Sequence, residues 1–287
     1  GISLGVAVLI IVMSVMNGFR TELVGKIVGF NPHAVIKPYE VPINENLFKN
    51  SELINLSRTL VYSNNGEGVL INKDYTKGLL LRGYLPDDFK KLSIVQNKNF
   101  FGNKQMNPKF ISIGKELSFN YNLKVGDRIL IMSPQGVETI IGSLPRQETF
   151  IVDSIFDSEI SDFDLNIAFI NLNDLENLFD LNQDKRNLEI YLRDPKKIEN
   201  AKLRLQNIFQ NYFIYTWADL NKSLFSALKV ERNVMFIILS LIIIVAAFNI
   251  ISGLTILIKN KTKEIAIIKT LGLSEKSIIK SFFLTGF

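Results

Sequence analysis

Cysteine is absent from the 287-residue sequence, and histidine occurs once. A chain without cysteine has no disulfide framework and no thiolate that could act as a nucleophile or metal ligand. The histidine, His33, follows Asn31-Pro32 in a predicted turn, and a lone imidazole does not predict a metal site. The sequence also lacks a GxxxxGK[ST] phosphate-binding motif, and no serine–histidine–acid motif includes His33. We therefore predict no catalytic residue, no metal and no cofactor, and that the chain is not an enzyme.

One acidic run resembles a calcium-binding loop at first inspection. Its acidic residues are Asp157, Glu159, Asp162 and Asp164. An EF-hand loop needs a central glycine and a closing glutamate at fixed positions, and this run has neither. We predict a solvated turn here.

Basic residues exceed acidic ones only moderately, 33 against 28, for a net charge of +5. No basic motif with interleaved aromatic residues is present, so nucleic-acid binding is not predicted. Hydrophobic residues make up 47% of the chain, and the mean hydropathy is +0.18. These values are high for a soluble domain and low for a chain made only of membrane spans, so we predict a membrane protein with a large water-soluble portion.

One segment, Val234 to Ile258, carries no charge and is longer than the roughly 20 apolar residues that cross a bilayer as a helix. Its small and polar residues Ala246, Asn249 and Gly253 share one helix face. Such residues favour close helix packing, which we prefer here over an intramembrane substrate site. Lysines dominate the sequence after Ile258, which predicts that this side is cytoplasmic. They are Lys259, Lys261, Lys263, Lys269, Lys276 and Lys280.

The uncharged segment 1–16 predicts a first membrane span whose beginning lies outside the sequence; a signal-peptide core is the alternative. Apolar residues continue at helical spacing to Phe30, and Asn31-Pro32 ends the pattern. Thr216 and Asp219 resemble a capping box that starts a second helix leading into the long apolar segment. We predict helical stalks outside both spans, although two ordinary amphipathic helices would show the same pattern.

The intervening residues predict a mixed α and β domain. The predicted helices are 115–121, 173–181 and 198–212. The predicted strands are 34–36, 78–84, 109–113, 149–156, 167–170 and 188–192, and the segment 123–132 is predicted as a Gly-Asp turn with a strand, 128–132.

Several segments closely resemble the lipoprotein-releasing permeases, the LolC and LolE family, within the wider class of MacB-like and FtsX-like ABC permeases. The first is GVAVLIIVMSVMNGFRTELVGKIVGF, and the second ends in FIILSLIIIVAAFNIISGLTILIKNKTKEIAIIKTLG. The segment ISIGKELSFNYNLKVGDRILIMSP and the YLRDP region belong to the same resemblance, which covers essentially the whole chain.

The resemblance implies a multi-pass protein of the bacterial inner membrane with a large α+β periplasmic domain, a MacB-like core, inserted between its first two spans. It implies as partners a LolD-like cytoplasmic ATPase, a second permease chain in a homodimer or a LolC/LolE heterodimer, a LolA-like periplasmic chaperone and a lipoprotein substrate. The implied domains are 1–30 (first span and stalk), 31–90 (first part of a porter-like subdomain), 91–164 (inserted subdomain), 165–215 (second porter-like part), 216–258 (stalk and second span), 259–275 (coupling helix) and 276–287 (start of a third span).

Three groups of candidate site residues follow. A short cytoplasmic helix, Lys261 to Gly272, would dock on the ATPase through Lys263, Glu264, Ile265, Ile268, Leu271 and Gly272. A cavity between the spans would hold lipoprotein through Met13, Met16, Met235, Phe236 and Leu239. A projecting loop within 133–147 would bind the chaperone through Ile140, Gly142, Ser143, Leu144, Pro145 and Arg146.

The chaperone loop combines a pattern with the resemblance. Residues 142–146, GSLPR, match the proline-bearing tip of a hook in LolC-like members, and Arg146 would steer the partner by its charge. A longer hairpin that packs back on the domain is the alternative for this segment. For the whole chain, the alternatives are an FtsX-like regulator of a cell-wall hydrolase, a MacB-like exporter subunit and a two-span sensory receptor.

Overall fold

The computed structural model describes the backbone of residues 2–72, 75–139 and 142–285. It describes the side chains of that set except at 2–6, 8–9, 135–144, 196, 224–225, 275 and 282–285. The chain forms two compact units, Gly1–Gly18 with Ser226–Phe287, and Phe19–Phe225.

The described residues form α-helices and β-strands in a mixed order. The helices are α1 (Ile2–Phe30), α2 (Ser51–Leu56), α3 (Pro86–Phe89), α4 (Ser93–Gln96), α5 (Lys115–Asn120), α6 (Ser161–Asn166), α7 (Leu172–Phe179), α8 (Ile198–Ile208), α9 (Trp217–Leu220), α10 (Lys222–Thr270) and α11 (Glu275–Thr285). The strands are β1 (Ala34–Pro38), β2 (Ser57–Ile71), β3 (Thr76–Tyr84), β4 (Phe100–Gly102), β5 (Phe110–Gly114), β6 (Arg128–Thr139), β7 (Gly142–Phe156), β8 (Ile167–Asn171), β9 (Asn187–Leu192) and β10 (Tyr212–Thr216).

Six strands of the larger unit form a closed ring of hydrogen-bonded neighbours. The order around the ring is β2, β3, β8, β5, β7, β6 and back to β2. Closing a sheet leaves these strands without a free edge, and their inward side chains form one core. That core combines residues from every strand of the ring: Leu70, Leu79, Leu81, Ala168, Ile170, Ile111, Ile113, Phe150, Val152, Ile129 and Ile131.

Strands β9, β1 and β10 extend the sheet on one side of this ring, and β4 pairs with β7. The first half of β2 pairs with β9, β9 pairs with β1, and β1 pairs with β10, all antiparallel. Helix α8 packs on this part through Ala201 and Leu205, which share a buried core with Ile36 and Ile190. Strand β2 thus belongs to both parts of the sheet, which explains its length of 15 residues.

The predicted α+β domain is confirmed. Two local sequence patterns at its ends also have the predicted structure. Helix α1 ends at Phe30, directly before Asn31-Pro32, as predicted. The Thr216–Asp219 capping box is present in both of its hydrogen bonds at the start of α9. The predicted helix 198–212 is too long, because α8 ends at Ile208 and residue 212 begins β10. The predicted domain boundaries at residues 90 and 164 stay predictions.

Among the described residues, one helix is long and apolar enough to cross a membrane, within Ser226–Thr270. Helix α10 continues through Lys261 without a break, so the prediction of a separate short helix at Lys261–Gly272 is wrong. The reason is local: no glycine or proline stands between Ile258 and Gly272, and a Lys261–Glu264 ion pair of 2.7 Å supports the helix. Gly272, with φ of +91°, follows the helix end in the left-handed conformation that glycine favours.

Candidate functional site

The segment predicted as a chaperone-binding loop is a β-hairpin. Strands β6 and β7 pair from Arg128–Ile151 to Met132–Gln147, and again from Gly136–Pro145 to Thr139–Gly142. The segment is therefore a paired hairpin and not an unpaired loop, and whether its apolar residues pack back on the domain stays a prediction. The loop prediction did not include the backbone hydrogen bonds that pair the two strands beyond Met132 and Gln147.

The positions of the predicted hook residues change accordingly. Gly142 to Arg146 lie on the returning strand β7, where Gly142 pairs with Thr139 and Pro145 with Gly136 of β6. Residue 140 is not among the described residues, so the prediction for Ile140 lies outside them. Arg146 does not stand free for a partner: it donates a hydrogen bond to the Asn177 carbonyl and another to Asp180.

The base of the hairpin is held on two sides. On β6, Leu130 to Met132 pair with Val69 to Ile71 of β2 inside the closed ring. On β7, Glu148 forms an ion pair with Lys109, whose backbone N–H also donates to Asp174 at 2.6 Å. The base is thus rigid, and the residues beyond Met132 and Gln147 extend from it.

A cleft of about 360 Å³ lies beside the point where the hairpin leaves the ring. Its floor includes Gly66, which no other residue can replace without rearrangement, because a Cβ there would lie 2.5 Å from the Phe179 ring. The lining residues are Asn65, Gly66, Glu67, Leu80, Pro134, Phe179 and Leu181.

A buried ion pair joins strands β3 and β9. Arg82 and Glu189 are 4% and 1% exposed, and their side chains approach to 3.3 Å. Glu189 also accepts hydrogen bonds from Ser63 at 2.8 Å, Tyr84 at 2.9 Å and Tyr191 at 3.1 Å. Burial raises the pKa of both tyrosine hydroxyls, so they donate as neutral phenols. This network was not predicted from the sequence, although a single glutamate within the apolar strand NLEIYL is a signal of a buried partner.

The end of α1 packs on the same network. The Phe30 ring lies 5.6 Å from the Arg82 guanidinium carbon and 5.9 Å from the Phe156 and Phe169 ring centroids. A guanidinium over aromatic faces is attracted by the ring quadrupoles, and this adds to apolar burial. The last residue of α1 is therefore fixed to the sheet.

The acidic run is only partly a solvated turn, which corrects the prediction. Asp157 pairs with Lys115 at 2.8 Å, and Glu159 pairs with Lys26 of α1 at 3.1 Å. Asp164 is 2% exposed, accepts the Ser158 N–H at 2.9 Å, and burial raises its pKa to about 6. Over the described residues, no group of three or more acidic or histidine side chains is arranged to hold a metal ion.

His33 is a structural residue that connects the end of α1 to β9. Its Nδ1 accepts the Leu192 N–H at 2.7 Å, and its Nε2 lies 3.2 Å from the Val28 carbonyl. These contacts define a neutral ring with the proton on Nε2, because a carbonyl can only accept and an N–H can only donate. Burial lowers the pKa of His33 from 6.5 to about 4.

We expect the buried His33 to make the fold less stable in acid. The unfolded chain takes up its proton near pH 6.5 and the folded chain only near pH 4. Stability from this group is therefore complete above pH 6.5 and falls as the pH drops to 4, by about 3 kcal/mol in all. We expect the free energy of unfolding of the His33→Gln variant to lack this pH dependence. Urea unfolding followed by the fluorescence of Trp217, the single tryptophan, measures it. If the difference in free energy of unfolding between wild type and variant is the same at pH 7 and at pH 4, this role of His33 is contradicted.

The remaining predicted site residues lie on α1 and α10. Met13, Met16, Met235 and Leu239 are half-buried, and Phe236 is 65% exposed. Of the predicted packing face, Ala246 is half-buried, and both Asn249 and Gly253 are exposed. The lipoprotein cavity and the packing face stay predictions.

The coupling residues lie in and just after the last turns of α10. Ile265 is half-buried, whereas Ile268 and Leu271 are 39% and 76% exposed. Ile267 is exposed as well, and Leu271 follows the end of α10. Several exposed apolar side chains in one short segment are typical of a contact surface.

Comparisons with known proteins identify the family. Residues 236–287 match the model of the family described as FtsX-like permease C-terminal. The chain is 32% identical over 300 residues to the lipoprotein-releasing system transmembrane protein LolC of Neisseria meningitidis serogroup B, with 100% of this chain and 71% of the relative covered. It is 28% identical over 291 residues to LolC of Xylella fastidiosa (100% and 70% covered), and 28% over 301 residues to LolE of Haemophilus influenzae (99% and 70% covered).

Among solved structures, the periplasmic region of MacB from Actinobacillus actinomycetemcomitans aligns with a TM-score of 0.38 at 10% identity, over 68% of this chain and 94% of that one. The family assignment depends on the sequence relatives alone, since the identity to LolC extends over the whole chain. The chain belongs to the LolC and LolE family of lipoprotein-releasing system transmembrane proteins.

Proposed function

We propose that this chain is a permease subunit of an ABC transporter that releases lipoproteins from the inner membrane to a periplasmic chaperone. The observation that carries the proposal is its 32% identity to a lipoprotein-releasing LolC over the full chain. A long apolar helix and a separate α+β unit agree with a permease that works on both sides of a membrane. ATP hydrolysis belongs to a LolD-like partner, and a second permease chain completes the transporter.

The direct test is release in proteoliposomes. The complex of this permease, its second chain and its ATPase is reconstituted with a labelled lipoprotein, and soluble chaperone and ATP are added. Transfer of label to the soluble fraction that requires both ATP and chaperone supports the proposal. If ATP is hydrolysed but no lipoprotein leaves the membrane, the second candidate, an FtsX-like regulator, is favoured instead; the match of residues 236–287 to an FtsX-like model makes it the alternative to test.

Coupling to the ATPase would use the last turns of α10. From Ser226 to Thr270 the helix has no break, so the apolar segment and the coupling residues form one rod. A rigid rod transmits a displacement at one end to the other, whereas a separate short helix would need a second joint. Ile268 is exposed at the end of this rod and is the residue most suited to dock in a groove of the ATPase.

We expect Ile268→Asp to reduce ATP-dependent lipoprotein release at least about tenfold, because it places an unpaired charge in the docking contact. Ala266→Asp is the matched control: it adds the same charge two residues away, on the opposite face of the helix. We expect the control to keep most of the release activity. Equal release by the Ile268→Asp complex and wild type, at equal reconstitution, would exclude this docking role.

The lipoprotein would enter between the outer halves of the two apolar helices. Met16 and Phe236 are the predicted contacts, and adaptable methionine and aromatic side chains suit varied acyl chains. In the same proteoliposomes, a photo-reactive residue at Phe236 should trap labelled lipoprotein, and one at Ile256, near the other end of the apolar segment, should not. Capture of bulk lipid alone at Phe236 would count against this path.

A further inference from the structure

The hairpin of β6 and β7 contains a kink at a defined position. Pairing stops at Met132–Gln147 and resumes at Gly136–Pro145. Between these pairs, three residues of β6, Ser133 to Gln135, face only Arg146 on β7. A bulge of this kind bends the strands and separates their two halves mechanically. We call the part beyond it, Gly136–Thr139 with Gly142–Pro145, the distal arm.

Arg146 is the β7 residue at this kink, and its side chain reaches away from the hairpin to α7. Its guanidinium donates to the carbonyl of Asn177 and, at 2.9 Å, to the carboxylate of Asp180. The Asn177 carbonyl belongs to the last turn of α7, where carbonyls lack intrahelical partners and the helix dipole favours a cation. Two acceptors in different directions fit the forked donors of arginine and not the single ammonium of lysine.

The other end of this contact is firmly supported. Helix α7 inserts Leu175, Leu178 and Phe179 into the core of the closed ring, with exposures of 5% or less. Asp180 caps the helix in the left-handed conformation, with φ of 55°, and its N–H donates to the Glu176 carbonyl. The carboxylate that holds Arg146 is therefore placed by a backbone that is itself fixed.

The distal arm has room to move if this contact is lost. The half-open cleft of about 360 Å³ lies next to the kink, lined by Pro134 on the hairpin side and by Phe179 and Leu181 on the α7 side. On the other side of the kink, β2 pairs with the hairpin only as far as Met132. The Arg146 side chain thus connects the kink to α7.

We infer that Arg146 and Asp180 form a clamp that sets the direction of the distal arm, so that Arg146 is a positioning residue and not a contact for the chaperone. The inference depends on the proposed function in one respect, that the distal arm recruits the chaperone. It reverses the role that the sequence suggested for Arg146, which was to steer the partner by its charge.

The test is a double-mutant cycle in the full transporter complex, with Arg146→Ala, Asp180→Ala and the double variant. Arg204→Ala is the matched control, since Arg204 also forms a surface ion pair, with Glu52 at 3.7 Å, on a different helix. Chaperone affinity and the amide hydrogen exchange of residues 137–139 and 142–144 are measured for each. The amides of 128–132, at the hairpin base, report whether the ring itself stays folded.

A clamp predicts that each single variant weakens chaperone binding by about three- to tenfold, and that the double variant is no weaker than either single one. Exchange in the distal arm should rise in all three, with the base and the control unchanged. Arg146→Lys keeps the charge but cannot reach both acceptors, so it should change chaperone affinity and amide exchange in the same direction as Arg146→Ala, by a smaller amount. If the alanine variant does not fold, the lysine variant replaces it in the test.

Two results would overturn the clamp. In the first, Asp180→Ala leaves affinity and exchange at wild-type values while Arg146→Ala weakens binding, which makes Arg146 a direct contact. In the second, neither substitution changes exchange in the distal arm. If wild-type protein binds no chaperone at all, the proposed function fails, but the exchange measurements still decide whether the clamp exists.

Discussion

Glu189→Ala is expected to lower the free energy of unfolding by about 3–5 kcal/mol, because it leaves the buried Arg82 without its ion-pair partner. The Arg82 guanidinium, 4% exposed, would keep its charge in a site with no other carboxylate among its hydrogen-bond partners. The hydroxyls of Ser63, Tyr84 and Tyr191 would lose their common acceptor at the same time. Urea unfolding of the detergent-solubilised chain, followed by Trp217, measures the change.

Two control variants separate the charge from the packing. Ser63→Ala removes one neutral donor and leaves the ion pair, so it should lower stability by about 1 kcal/mol. Arg82→Met combined with Glu189→Leu removes both charges, and we expect it to recover most of the stability lost in Glu189→Ala, because apolar replacements of a buried pair are often neutral. If the double variant is less stable than Glu189→Ala, the unpaired charge is not the cause of the loss.

Removing the distal arm is expected to abolish chaperone binding without unfolding the protein. The strand pairing decides which residues must be removed. Deleting 142–146 alone would remove one strand of a pair, together with Arg146, and leave Gly136–Thr139 unpaired. Replacing 136–145 by a two-residue Asn-Gly turn removes both strands and keeps Arg146 on α7.

We expect chaperone affinity to fall by at least about 100-fold in this variant, since few interface residues carry most of the binding energy. Basal ATPase activity of the complex and the Trp217 unfolding curve should match wild type, because the closed ring lies outside the deleted segment. Arg146→Ala is the comparison variant, because its expected loss of chaperone affinity is smaller. Normal pull-down of chaperone by the shortened protein would remove the hairpin from the proposed function.

The sequence predicted what depends on local patterns. The uncharged segment 234–258 specifies a helix of membrane length whatever the rest of the chain does. The capping box at Thr216 and the helix end before Pro32 follow from side chains and backbone within a few residues. The absence of cysteine and of nucleotide-binding motifs is likewise complete in the sequence itself.

Strand β2 shows why other elements could not be predicted. Its central residues, SNNGEG, read as a turn, because asparagine and glycine are poor strand formers. In the fold, Ser63 bonds to Glu189, 126 positions away, and Asn64 to Glu176, 112 positions away. Gly66 is needed because the Phe179 ring occupies the space of a side chain. Each of these residues suits a strand only once its distant partner is in place.

By itself, the sequence determined the helix of membrane-spanning length, the helix end before Pro32, the helix start at Thr216, the α+β character and the family. Each of these depends on residues close together or on the order of residues alone. The tertiary structure decided the closed ring of strands, the buried Arg82–Glu189 pair, the hairpin and the direction of the Arg146 side chain. Arg146 and Asp180 are 34 positions apart, and nothing local to either indicates the other. Such contacts form only when the chain is folded, since hydrogen bonds and ion pairs depend on distance in space and not on distance along the chain.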